Sequence, residues 1–201
     1  MNSLLSFFPT IVYNDNLEIS EDLSRSIKSL SYIRTNNDNG FISADYKIFN
    51  NHELKDICST IENHCKRYFY DILKLQRQFE FQIVSSWANK HESNDFAQEH
   101  YHSNSMFTGI LCISIPQNSG ELCFHHPLPN FGSTFEFNYS ARNNFNSNII
   151  KIFPSDGDLF IFPSSLKHSV SKNNSEKDRY TIAFNIFFSG LFGNHETELR
   201  L

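Results

Sequence analysis

One stretch near the C-terminus, Arg179-Tyr-Thr-Ile-Ala-Phe-Asn-Ile-Phe-Phe188, limits what this chain can fold into more than any other. It is rich in aromatic and β-branched residues and follows a polar run of Asn, Ser, Lys and Asp, so it reads as a strand. Side chains of a strand alternate between faces with a period of two. One face carries Tyr180, Ile182, Phe184, Ile186 and Phe188, is almost wholly apolar, and has to be buried. The other carries Arg179, Thr181, Ala183, Asn185 and Phe187, and is small and polar near its start. That mixed face either lines a ligand cavity or looks at water, as one side of many antiparallel sheets does.

The rest of the chain must cover the apolar face. FFPTIVY (7–13) reads as a short first strand, confined to an edge by Pro9. A helix follows, capped by Ser20, with Glu21 and Asp22 in its first turn and Leu23, Ile27 and Leu30 on one face. Residues 34–40 form a loop. A longer helix spans about 52–75, marked by Leu54, Ile57, Ile61, Cys65, Phe69 and Ile72, and serves as scaffold on a sheet. From residue 79 the pattern turns to strands: 79–87, with Phe79, Phe81, Ile83 and Trp87 on one face, then 108–115, 122–124, 134–139, 148–153, 158–162 and 179–188. Short strands in series after two helices predict a mainly β protein: an antiparallel barrel or sandwich with N-terminal helices packed on one face.

At 201 residues the chain reads as one domain. Its net charge is −5 and its Lys and Arg do not cluster, so neither nucleic acid nor an anionic membrane is expected as a partner. No apolar run approaches the ~20 residues of a membrane helix. The N-terminus shows neither a basic n-region nor a cleavage site. Cys58 and Cys65 are about 10 Å apart along a helix at ~1.5 Å per residue, too far to bridge. The four cysteines have no zinc or redox spacing, so free thiols in a reducing cytoplasm are expected.

Three histidines stand out. His100 and His102 are two apart; in an extended segment both rings point the same way, with Cα atoms roughly 6.5–7 Å apart. His168 follows FIFPSSLK, just beyond an apolar strand. Arg179 begins the next strand, which is expected to pair antiparallel with 158–162. Arginine suits bidentate capture of a carboxylate, and Thr181 on the same face offers a second hydrogen bond. A metal, an arginine and a hydroxyl in line suggest a small dicarboxylate chelating the metal at one end and meeting Arg179 and Thr181 at the other. His125 and His126 are expected in a surface loop, His52, His64, His91 and His195 in solvent, and Trp87 in the core. Asn104 and Asn185 are within reach of a cofactor or of the residues that hold it, although Asn104 equally suits a turn.

The spacing His168-x10-Arg179-x-Thr181 is similar to the distal histidine and Arg-x-Ser/Thr pair of Fe(II)/2-oxoglutarate-dependent oxygenases. The run from His100 to Gly109, HYHSNSMFTG, resembles a segment of one branch, small oxygenases of bacteria and phages. FFPTIVY, Trp87-x-Asn89, the run from Gly157 to Ser164 and Ile182-Ala-Phe-Asn185 resemble the same branch, with weaker stretches at 14–78 and 125–150. The resemblance implies a double-stranded β-helix (jelly-roll, cupin-like) fold: support and first strand over 1–78, jelly-roll core over 79–190, and a tail over 191–201. It implies Fe(II) held by side chains with room for 2-oxoglutarate and O2, the far carboxylate of 2-oxoglutarate on Arg179 and Thr181, and hydroxylation of a C–H bond.

One departure stands where most of that superfamily has His-x-Asp/Glu: this chain has His102. Three arrangements are open: a three-histidine centre of His100, His102 and His168; His100 and His168 alone with water; or His102 as first ligand with Asn104 beside it. The first is preferred here. Two other functions compete. A zinc hydrolase or hydratase can use three histidines, but Ser103-Asn104-Ser105 departs from the metallo-β-lactamase run and Arg179 would lack a task. A non-catalytic cupin-like binding protein should carry a glutamate soon after His-x-His, and none occurs between Ser103 and Ser119. The sequence selects no substrate, whether small molecule or protein side chain, and allows a monomer or homodimer.

Overall fold

The structure is a computed structural model that describes residues 8–35, 40–128 and 134–201. Phe7 of the expected first strand, 36–39 of the expected loop and 129–133 lie outside the described residues. Two antiparallel sheets face each other. The larger has the order β1 (Tyr13–Asn16), β9 (Asp158–Pro163), β6 (Phe107–Ser114), β11 (Arg179–Ser189), β4 (Glu80–His91), β3 (Phe41–Ser43) and β2 (Tyr32–Arg34). The smaller has the order β5 (Ala97–His100), β10 (His168–Val170), β7 (Leu122–His125) and β8 (Ile149–Ile152). Helices α1 (Glu21–Lys28) and α2 (Lys55–Lys66) supply a third layer, and β12 (Leu191–Phe192) pairs with β13 (Leu199–Arg200) at the C-terminus. This is the expected jelly-roll arrangement, open rather than closed into a barrel.

The two faces of β11 explain the layering. Ile182, Phe184 and Ile186 are completely buried and meet Ile61 and Cys65 of α2, with Tyr68 and Phe69 from the π-helical turn that continues it. The Phe69 ring lies 4.7 Å from Phe107 and 4.8 Å from Phe188. Burying one such side chain contributes about 1.5–3 kcal/mol, so this seam anchors the helices to the sheet. Gly109 is the register partner of Phe184, and a Cβ there would come within 2.0 Å of the ring. Only glycine lets the phenylalanine lie across that strand. Ser20 caps α1 as expected, its side chain accepting from Leu23 N at 3.1 Å.

On the opposite face, Ile110, Cys112, Phe160 and Phe162 of the larger sheet meet Leu122, Phe124 and Leu166. This second core fills part of the space between the sheets. The remainder, over β4 and β11, is a cavity.

Several expectations need correction. The first strand is Tyr13–Asn16 rather than 7–13, because its pairing with β9 runs only from Tyr13↔Ile161 to Asn16↔Asp158, beyond Pro9. Arg34 is in a strand, since β2 and β3 pair across the Asn-rich loop. Residues 134–139 alternate but form no strand, and Phe135 and Phe137 are exposed. Strand β11 does not pair with 158–162. It pairs with β4 and β6 on its two edges, and β6 stands between it and β9. After β9 the chain crosses to the smaller sheet for β10 before returning. All four cysteines are free. Among the described residues no helix is long and apolar enough to cross a membrane.

Candidate active site

The crossover that corrects the strand pairing also assembles the histidines. His100 ends β5, His168 begins β10, and the two are register partners. His102 follows two residues past β5. The ligand atoms of His100, His102 and His168 lie within 4.8 Å of one another, the only such group of three among the described residues. Each ring spends its Nδ1 on an oxygen: His100 on Gln98 O at 2.7 Å, His168 on Leu166 O at 3.0 Å, and His102 on Asn185 Oδ1 at 2.7 Å. The two backbone carbonyls can only accept, so Nδ1 of His100 and of His168 carries the hydrogen and Nε2 keeps its lone pair. Burial first, and then the neighbouring His100, push the His168 pKa down to about 3. The ring therefore stays in the neutral form that binds metals.

The mixed face of β11 lines the same cavity, of about 410 Å³. Arg179, Thr181, Ala183 and Asn185 line it, so the alternative in which this face looks at bulk water does not hold. Arg179 is only 1% exposed. Its Nη1 donates to Gly120 O at 2.6 Å and Ser119 O at 3.3 Å, and its Nε has no partner among the described residues. Gly120 sits at φ +93°, where a side chain would strike Ser171 O, and this turn aims its carbonyl at the guanidinium. Burial pushes the Arg179 pKa down; Cys112, Cys123 and Glu121 oppose that, but no carboxylate among the described residues reaches ion-pair distance. Thr181, Ala183 and Asn185 follow on the same face. Six residue steps of strand, ~20 Å at ~3.4 Å per residue, separate Arg179 from Asn185. Ala183 between them has no bulk to fill the gap. Cation, hydroxyl and imidazoles thus share one cavity, with no acid among its described lining residues.

Strand β4, paired beside β11, lines the same wall, against the sequence reading. The register of β4 on β11 slips between Asn185 and Ile186, so Val84 is an extra residue. Such a bulge exchanges the two faces of the bulged strand. Phe81 and Ile83 face the helices as expected, but beyond the bulge Ser86 and Ala88 do so, and Trp87, Asn89 and His91 turn to the cavity. Trp87 stacks on His102 with centroids 5.5 Å apart and planes at 23°. His91 is the register partner of Arg179 and is 6% exposed rather than solvated. Burial, with the adjacent Arg179 charge, pushes its pKa down to about 4. Neither position is visible from alternation until the bulge is known.

The other expected residues fall outside this cavity. Asn104 occupies a turn at φ +55° and does not line it. His125 is half-buried, on the side of the smaller sheet away from the cavity, with Nδ1 3.0 Å from the Glu99 carboxylate and Nε2 2.8 Å from Ser169 Oγ. His126 Nδ1 accepts from Leu128 N in the following loop. His64, expected in solvent, is bonded to the Tyr13 hydroxyl at 2.8 Å. His52 and His195 are exposed.

Residues 85–185 match the family model described as Putative 2OG-Fe(II) oxygenase, a span that includes every cavity residue from β4 and β11. No curated protein matches the chain in sequence. Solved structures resemble it in fold. An oxidoreductase of the 2OG-Fe(II) oxygenase family from Burkholderia pseudomallei is 12% identical, with a TM-score of 0.58 over 82% of this chain and 75% of that one. HygX from Streptomyces hygroscopicus, solved with nickel, 2-oxoglutarate and hygromycin B bound, is 11% identical, with a TM-score of 0.58 over 88% and 82%. A prolyl hydroxylase from Trichoplax adhaerens, in complex with a hypoxia inducible factor peptide fragment, is 14% identical, with a TM-score of 0.59 over 88% and 83%.

Proposed function

The chain belongs to the 2OG-Fe(II) oxygenase family, enzymes dependent on Fe(II) and 2-oxoglutarate, and from that membership we propose that His100, His102 and His168 hold the iron while Arg179 and Thr181 hold the far carboxylate of 2-oxoglutarate. When bound, iron with 2-oxoglutarate and O2 supplies oxidative decarboxylation to succinate and CO2 coupled to hydroxylation of a C–H bond. This chain's residues do the positioning. His100 and His168 offer Nε2 lone pairs from rings whose Nδ1 atoms are bonded to backbone carbonyls, and His102 converges on the same point. Arg179 binds an anion from a buried position, where an ionic hydrogen bond is stronger than in solvent.

The observation that carries this reading is Arg179 itself: a buried cation with, among the described residues, an unused N–H and no acid in ion-pair range, lining the same cavity as three converging imidazoles. A zinc hydrolase would leave that cation without an anion. Substrate enters, on this reading, past Tyr46 and Tyr101, both half or more exposed, towards Trp87. The test is release of CO2 from carboxyl-labelled 2-oxoglutarate by Fe(II)-loaded protein without added substrate. Slow release that disappears in His168→Ala supports the reading. Protein that binds Fe(II) and 2-oxoglutarate yet releases no CO2 in any condition contradicts it.

A further inference from the structure

His91 has no task in the 2-oxoglutarate site described above, yet it stands inside the cavity. It ends β4 as the register partner of Arg179, so the two residues sit level with each other on the cavity face of adjoining strands. Both are buried. His91 Nδ1 and Arg179 Nε are each buried without a hydrogen-bond partner among the described residues. Buried polar groups are nearly always bonded, so two unbonded nitrogens at one register position call for a reason.

Charge supplies the reason. Burial first, and then the Arg179 charge, keep the His91 imidazole neutral. No acid among the described lining residues satisfies either group. A carboxylate suits both at once. Its oxygens only accept, and their four or so lone-pair sites are enough for a guanidinium and an imidazole N–H together. It also cancels the charge that His91 faces, and an N–H donated to an anion makes a charge-assisted bond. Arg179 Nη1 is already bonded to Ser119 O and Gly120 O, so the guanidinium brings only part of its donor fork to a ligand. A neighbouring donor completes the set.

The ring is also held in place. Its Cδ2–Nε2 edge lies against Gly40, where a Cβ would come within 2.6 Å of Cδ2 and 3.0 Å of Nε2. Any side chain at residue 40 would push the imidazole from its position. Asn173, wholly buried, donates from Nδ2 to His91 O at 3.0 Å and fixes the end of the strand.

We propose that His91 is a further carboxylate-binding residue, donating an imidazole N–H to the carboxylate that Arg179 holds and so favouring 2-oxo acids with a far carboxylate. The inference rests on the 2-oxoglutarate site proposed above and adds to it a residue that touches the ligand. Isothermal titration of Zn(II)-loaded protein at about pH 8, where free imidazoles are neutral, compares 2-oxoglutarate with 2-oxobutyrate. The second acid keeps the chelating end and lacks the far carboxylate. A hydrogen bond to an anion sets the scale: His91→Phe should bind 2-oxoglutarate about 10–100-fold more weakly and 2-oxobutyrate as wild type does.

A second measurement needs no variant. In the 15N–1H spectrum of Zn(II)-loaded wild type, the His91 ring resonances should move on saturation with 2-oxoglutarate and stay in place with 2-oxobutyrate. Wild-type affinity for 2-oxoglutarate in folded His91→Phe, equal losses for both acids, or His91 resonances that ignore bound 2-oxoglutarate would overturn the inference. Wild type that binds 2-oxoglutarate no more tightly than 2-oxobutyrate would instead sink the site on which the inference rests, and the inference with it.

Discussion

Replacing Arg179 with methionine separates what the arginine does for the fold from what it does for a ligand. The guanidinium is 1% exposed and donates to two carbonyls, with no acid in ion-pair range among the described residues. Desolvating such a cation costs several kcal/mol. Its hydrogen bonds return about 1.5–3 kcal/mol each. Methionine keeps the unbranched stem and removes the charge, so the metal-free protein should be unchanged or more stable by up to about 2 kcal/mol. At roughly 2–4 °C per kcal/mol for a chain of this size, Tm should rise by up to about 8 °C. The ligand arm runs the other way. Mn(II)-loaded wild type with 2-oxoglutarate at a hundred times its Kd should gain about 2.7 kcal/mol, some 5–10 °C in a thermal melt, and the variant should gain nothing. A loss of about 3 kcal/mol or more in the metal-free variant is the mark of a broken buried pair and would refute the view of Arg179 as a cation awaiting its anion. So would a variant that 2-oxoglutarate stabilises as much as wild type.

Acid should destabilise the metal-free protein through His91. Its folded-state pKa of about 4 lies below the ordinary 6.5, so the unfolded chain takes the proton first as pH falls. Stability is full above about 6.5 and declines towards 4 by about 3 kcal/mol; His168 adds a slope of the same sign. Urea melts across that range should show a shallower decline in His91→Gln, and an identical slope would contradict the assignment. Trp87 is the single tryptophan and stacks on His102, so intrinsic fluorescence should change saturably with Co(II) and not in His102→Ala. Fluorescence that ignores bound Co(II) would place the metal elsewhere.

The alternation of β11 was legible because the bulge that disturbs its pairing with β4 falls in β4 and leaves β11 itself regular. Its apolar face found the helices and its mixed face found the cavity. The same bulge hid Trp87 and His91, since one extra residue at Val84 reverses every later side chain of β4, and a lone apolar valine in an apolar run announces nothing. His100, His102 and His168 were legible from type and spacing, but the route that joins them was not. Strands β5 and β10, four and three residues long, carry little local signal, and the crossover between sheets is decided by which edges remain unpaired. Segment 134–139 shows the converse: alternation without a partner strand makes no sheet.

The central claim, one cavity that holds iron on three histidines and 2-oxoglutarate on Arg179, is tested most directly by anaerobic titration of metal-free protein with Fe(II) and then 2-oxoglutarate. The account expects a visible charge-transfer band on the second addition, saturating at one equivalent of iron and much weakened in Arg179→Met. Tight zinc binding with no band from Fe(II) and 2-oxoglutarate would contradict it.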